Sequence, residues 1–155
     1  MEEIKQAWIN VSDWLRSNLN DEEYLKIHDF WKEAEVFWQS DFQPAVLVHG
    51  DIWYENILTD KDSDVVGVID FGNVKIGDKA IDFAVQNHVS DQFRDEVIRQ
   101  YIQLGGEVGE NLEKRMDYLL AVREIYGLEY GIMIDDIIDE DKLAKIKRMI
   151  FGIKS

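Results

Sequence analysis

Ala45-Val46-Leu47-Val48-His49-Gly50-Asp51-Ile52-Trp53-Tyr54-Glu55-Asn56 is the stretch on which the reading of this chain turns. A short apolar run, Ala45 to Val48, delivers His49, Gly50 and Asp51 at its end. Asn56 follows five residues after Asp51 and opens directly into a second run, Ile57 to Thr59. A third run, Val65 to Ile69, ends on Asp70-Phe71-Gly72, fourteen residues past Asn56. Runs this short and this rich in β-branched residues predict strands. Asp60-Lys61-Asp62-Ser63-Asp64 between the last two is a polar turn, so these two form a hairpin. The hairpin carries Asp70 back towards the loop that holds Asp51 and Asn56.

Outward from this insert the chain reads as helix. Ile4, Ala7, Trp8, Val11 and Leu15 recur at three- and four-residue spacing, and a second such run goes through Tyr24, Ile27, Trp31, Ala34 and Trp38. Asn20 or Asp21 is the expected N-cap of that second helix. Pro44, the only proline, closes the helical section. After Gly77 the helical period returns. Ser90 caps a helix that Gly105-Gly106 stops, Asn111 caps a longer one towards Gly127, and a last helix is expected from about Asp141 to Phe151. The predicted fold class is mainly α with a small β insert, in one domain over 1–155: helical 1–43, insert 44–77, helical 78–155.

Composition narrows the function. With 155 residues, 46% of them hydrophobic, the chain can bury a core. It has no Cys, which excludes disulfides, thiolate metal sites and a cysteine nucleophile. The formal charge of −15 repels nucleic acid and anionic membrane and favours a cationic partner. No apolar run is long enough to span a bilayer, and the acidic start is not a secretory signal, so a cytoplasmic location is expected.

The spacing resembles the kinase catalytic loop, H-x-D-x-x-x-x-N, followed by the metal-binding D-F-G. In that chemistry an Asp accepts or orients the proton of the attacking hydroxyl, while an Asn and a second Asp offer oxygens to Mg²⁺ on the nucleotide phosphates. Average residue usage makes a chance match of both motifs, in order and spacing, about one in 10⁵. Competing readings are weaker. His49 with Asp51 lacks a third ligand at metal spacing. Asp60, Asp62 and Asp64 alternate like a calcium loop but lack its Gly and closing Glu, and read as a solvated turn. His28 and His88 read as structural. Gly105 to Gly109 lies between helices, which favours helix capping over a phosphate cradle.

His49 to Asn56, Ile69-Asp70-Phe71-Gly72-Asn73 and Gly77-Asp78-Lys79-Ala80-Ile81-Asp82-Phe83 together resemble the aminoglycoside phosphotransferase and choline kinase-like superfamily. Gly50 stands where protein kinases carry Arg, against a protein substrate. Ile125 to Gly131 is similar to a late segment of the aminoglycoside 2''-phosphotransferase branch, although that branch often has other residues at Asn73 and Asn56. The resemblance implies Asp51 as catalytic base, Asn56 and Asp70 as Mg²⁺ and nucleotide ligands, and His49 as a brace. It implies Asp82 as the acid tying the next helix to the loop, with Asp78 and Asn73 as candidate substrate contacts. ATP or GTP would be the donor and a cationic small-molecule alcohol the acceptor: first an aminoglycoside, as in antibiotic resistance, otherwise choline, a sugar amine or a homoserine-like alcohol. Residues 107–141 hold eleven acids against three bases, which suits a polyamine.

Of the 48 residues before His49, 1–43 are read as helical, and no strand bears the Lys that holds the α/β-phosphates. The chain is therefore expected to represent the C-terminal lobe of such a kinase without its N-terminal lobe, as a gene fragment, a trimmed piece of a longer chain, or one part of a split enzyme completed by another polypeptide would be. Weak or no activity in isolation and exposed apolar surface for the missing lobe follow. An inactive binding or assembly module is the alternative.

Overall fold

Amphipathic periodicity sets the helices. A computed structural model describes residues 2–40, 44–62, 64–134, 143–144 and 146–148. Helix α1 (Glu2–Asn18) and helix α2 (Asp21–Ser40) turn the expected apolar faces inward: Val11, Leu15, Ile27 and Trp31 are buried. Next come β1 (Val46–Val48), β2 (Ile57–Thr59), β3 (Val65–Val68) and β4 (Lys75–Gly77). Helices α3 (Ala80–Ala84), α4 (Asp91–Gln103) and α5 (Leu112–Met133) follow. The fold is mainly helical with a small β insert, as the periodicity predicts, and the insert forms two small antiparallel sheets.

The chain divides into two compact units, Met1–Phe42 with Ala121–Ser155, and Gln43–Leu120. In the first, Trp8 stacks on Trp31 at 5.0 Å between ring centroids, and Val122, Ile125, Leu128 and Ile146 join the same core. His28 lies against Trp8 and Tyr24, a packing role. Residues 143–144 and 146–148 are helical; the rest of the helix expected over 141–151, and the acids from Asp135 to Asp141, lie outside the described residues.

Helix α2 opens with a capping box. Asn20 Oδ1 accepts from the Glu23 N–H at 2.9 Å, and Glu23 Oε2 accepts from the Asn20 N–H at 3.2 Å. Glu23 Oε1 also takes Lys147 Nζ at 2.7 Å. That hydrogen bond holds the Glu23 carboxyl below its ordinary value. A carboxyl lowered by folding adds stability above its unfolded pKa and loses it as pH falls through the lower folded value. Asn20→Ala is expected to cost about 1 kcal/mol, read as a lowered denaturant midpoint. Glu23→Gln should weaken the chain at pH 7 and make no difference well below pH 4.

In the second unit the sheets are separate: β2 pairs with β3, and β1 with β4. The hairpin β2–β3 is the one predicted, in register Ile57↔Val68. Strand β4 is a correction, since helix was expected directly after Gly77 and no strand before it. It forms because β1 offers an edge, with Val46↔Gly77, Leu47↔Ile76 and Val48↔Lys75 in register. The core here is Ala80, Phe83, Ala84 and Met116, with Val97, Ile98 and Leu119 against it. Ser90 caps α4, its Oγ accepting from Phe93 N–H at 3.0 Å. Gly105, at φ 89°, ends that helix in the left-handed region, as the Gly105-Gly106 pair predicts. Among the described residues no helix is long and apolar enough to cross a membrane.

Candidate active site

Strand β1 ends at Val48, and the chain turns through Gly50 into a loop whose peptide groups are held from the helical side. Asp82, on α3, accepts the His49 N–H on Oδ2 at 2.9 Å and the Gly50 N–H on Oδ1 at 2.8 Å. Hydrogen bonds to a carboxylate are the stronger class. Asp82 thus ties α3 to the loop, the geometry the resemblance implied. Past Asp51 the loop closes on itself: Trp53 N–H donates to Asp51 O at 3.0 Å, and Asn56 Nδ2 donates to the same oxygen at 2.9 Å. Asp51 is half-buried, and one of its carboxylate oxygens, Oδ1, is closed off from solvent.

Asp70 is brought to this loop by two bonds at the end of β3. The Ile69 N–H donates to Asn56 O, and His49 Nε2 meets Ile69 O, both at 3.0 Å. Because Ile69 O can only accept, His49 carries its proton on Nε2. Phe71 packs against the His49 ring at 4.9 Å. His49 therefore braces the loop against the Asp70 segment. Asp70 itself sits at φ 60°, ψ 65°, a left-handed conformation that Asp tolerates, with Oδ1 accepting from Gly72 N–H at 3.4 Å.

The donor set fits Mg²⁺. Asp51 O cannot donate, so the Asn56 amide must place its NH₂ there, and this leaves Oδ1 as the free end of a buried side chain. Asp70 is exposed and adds a carboxylate. One amide oxygen and one carboxylate are what Mg²⁺ takes from a protein when phosphates and water supply the rest. Among the described residues no group of three or more His, Cys, Asp or Glu is placed to hold a metal ion.

Gly50 is required where it stands. Its φ is +79°, and a Cβ there would lie 2.6 Å from Asn73 O. The Asp70–Asn73 turn thus reaches the loop through the Asn73 backbone. Gly50→Ala combines a left-handed alanine with a clash against main chain, and is expected to cost about 2 kcal/mol, measured as a drop in denaturant midpoint.

Two other candidates are placed differently. Asn73 is exposed on the turn after Gly72. Asp78 is used inside the chain: Oδ2 pairs with Arg115 Nε at 3.0 Å, and Oδ1 accepts from Ala80 N–H at 2.9 Å at the start of α3. Arg115 was not singled out from the sequence, and it is fully buried. Its other nitrogens donate to Glu110 O and Val108 O. Lys79 Nζ donates to Glu107 O at 2.6 Å. The loop from Glu107 to Glu110 therefore offers carbonyls inward to cations, the reverse of a phosphate cradle. In the hairpin turn, Asp60 Oδ1 accepts from the N–H groups of Asp62 and Asp64, so its carboxylate closes a turn.

The model of the phosphotransferase enzyme family, APH, matches residues 5–119. The chain belongs to this phosphotransferase family. A Bacillus subtilis (strain 168) protein, the uncharacterized YcbJ, is 25% identical over 92 residues, covering 59% of this chain and 29% of that protein. Among solved structures, a macrolide 2'-phosphotransferase type I matches with TM-score 0.59 at 24% identity, over 95% of this chain and 47% of its own. The apoenzyme of macrolide 2'-phosphotransferase MphH from Brachybacterium faecium matches with TM-score 0.61 at 15% identity, over 97% and 49%. At such identities the likeness is one of fold. The chain spans about half the length of these structures, so its architecture is that of about half a phosphotransferase of this family. Neither structure is an aminoglycoside 2''-phosphotransferase.

Proposed function

We propose that this chain carries the catalytic half of a nucleotide-dependent phosphotransferase that phosphorylates a hydroxyl of a small, amine-bearing molecule. The observation that supports it is the double tie between His49 or Asn56 and Ile69, which holds the Asp70 segment against the loop of Asp51 and Asn56. Asp51 would accept or orient the acceptor hydroxyl's proton. Asn56 Oδ1 and the Asp70 carboxylate would hold Mg²⁺, which neutralises phosphate charge when bound. Transfer of this kind depends on positioning and charge more than on covalent chemistry by the protein.

The acceptor is proposed from charge and from relatives. A net charge of −15 favours a cation. The two structural relatives carry macrolide 2'-phosphotransferase in their names, so a macrolide 2'-hydroxyl joins the aminoglycoside hydroxyl as a first candidate. ATP or GTP would be the donor, and a cytoplasmic reaction is part of this reading. A partner lobe must clamp the α/β-phosphates in this reading. Exposed apolar side chains near the loop suit such a lobe: Leu58, Val65 and Val66 on the hairpin, and Phe71 after Asp70.

The test is calorimetry and a phosphate-transfer panel. Nucleotide binding is expected to need Mg²⁺ and to disappear in Asp70→Ala. Turnover, once the partner lobe is present, should fall about 10²–10⁴-fold in Asp51→Asn with nucleotide binding retained. Full activity in Asp51→Asn would reject Asp51 as the base, and Mg²⁺-independent binding would reject the metal role.

A further inference from the structure

We infer that Gln86 is a positioning residue for Asp51, holding the far side of its loop as Asp82 holds the near side; the catalytic meaning of this rests on the function proposed above. Gln86 lies in the 3₁₀ turn Val85–His88 that continues α3, one helical turn beyond Asp82. It is buried at 5% exposure. Its Nε2 donates to Ile52 O at 2.5 Å and to Asp82 O at 3.0 Å. Both acceptors are main-chain carbonyls, so the amide can take only this orientation.

With that bond, the loop has a named partner on both sides of Asp51. The N–H groups of His49 and Gly50 go to Asp82, and Asp51 O goes to Trp53 N–H and Asn56 Nδ2. Ile52 O goes to Gln86. Asp82 and Gln86, four residues apart on one face, thus grip the chain before and after Asp51. A buried amide among Phe83, Ala84 and Val85 is unfavourable unless it is fully bonded. Packing alone would be served by Met or Leu. Glutamine is suited to the bond: Glu would set a carboxylate against two carbonyl oxygens, and Met would leave Ile52 O without its donor. A displacement near 1 Å at a reacting group is enough to cost about 10²-fold in rate.

The bond can be read directly on the unmodified 155-residue chain by NMR. A through-hydrogen-bond coupling between Gln86 Nε2 and the Ile52 carbonyl carbon is expected, and its absence would overturn the inference. Gln86→Met and Gln86→Glu should shift the Ile52 carbonyl resonance upfield. They should also speed exchange of the Trp53 and Asn56 amides about 10-fold, while the His49 and Gly50 amides keep their protection through Asp82. Equal loss at all four amides, or none, would make Gln86 an ordinary core residue. In the transfer assay, with the partner lobe supplied, Gln86→Met should lower kcat about 10- to 100-fold with the nucleotide KM within twofold. A matched rise in KM with kcat unchanged would overturn the positioning role. A wild-type chain that shows the coupling but never transfers phosphate would reject the proposed activity and leave the Gln86–Ile52 bond standing.

Discussion

Asp82→Ala is expected to lower the stability of the chain by about 3–6 kcal/mol and to loosen the loop at Asp51 more than any other part. The estimate follows from what the carboxylate does. Each bond from a charged acceptor contributes about 1.5–3 kcal/mol, and Asp82 makes two, to the His49 and Gly50 N–H groups. Alanine leaves both donors without their partner at a site where Val48 and His49 are buried. The effect should also be local. His49 and Gly50 amides should exchange at the rate of unprotected groups in a chain that still folds, whereas the capped start of α2 should be untouched. Asp82→Asn is a sharper variant, because its amide oxygen can serve one N–H while its NH₂ faces the other. It should recover less than half of the loss. A denaturant midpoint unchanged in Asp82→Ala would mean that the loop holds its shape without α3.

How much of this was legible follows the range of the interactions. The 49–56 loop and the hairpin could be read from sequence, because β-branched runs and a polar turn are local signals. Strand β2 has the predicted limits, and β3 stops one residue short, at Val68. Strand β4 could not be read. Lys75-Ile76-Gly77 is only three residues long, and its pairing is with Val46–Val48, far back in the chain. Register with a distant partner, not local propensity, makes it a strand.

The site shows the same division. Asp51, Asn56 and Asp70 became candidates by motif spacing, and Asp82 by resemblance. Gln86 gave no signal, since its partner is a carbonyl that only the folded loop presents. Arg115 was counted as one of three bases in an acidic stretch, which suggested a solvated side chain. One signal could have found it. Arg115, Tyr118 and Val122 fall at i, i+3 and i+7, a helical stripe on which both other residues are apolar, and all three are buried.

Arg115→Met should cost about 3–5 kcal/mol, the usual penalty for breaking a buried ion pair by removing one partner. Arg115 is 2% exposed, and its guanidinium serves Asp78 Oδ2, Val108 O and Glu110 O together. Methionine matches the volume and serves none of them. The loss would fall on two carbonyls in the loop after α4 and on an Asp78 that keeps 24% side-chain exposure. Lysine should not rescue the site, because a single ammonium cannot reproduce two carbonyl hydrogen bonds and an ion pair made from one rigid planar fork. Asp78→Asn separates the contributions. It removes the charge that Arg115 balances while its Oδ1 can still accept the Ala80 N–H at the start of α3. In the double variant Arg115→Met/Asp78→Asn, the total loss should be smaller than the sum of the single losses by about 1 kcal/mol or more, since no unpaired charge remains. Strict additivity in that cycle would show that Arg115 acts through the two loop carbonyls alone.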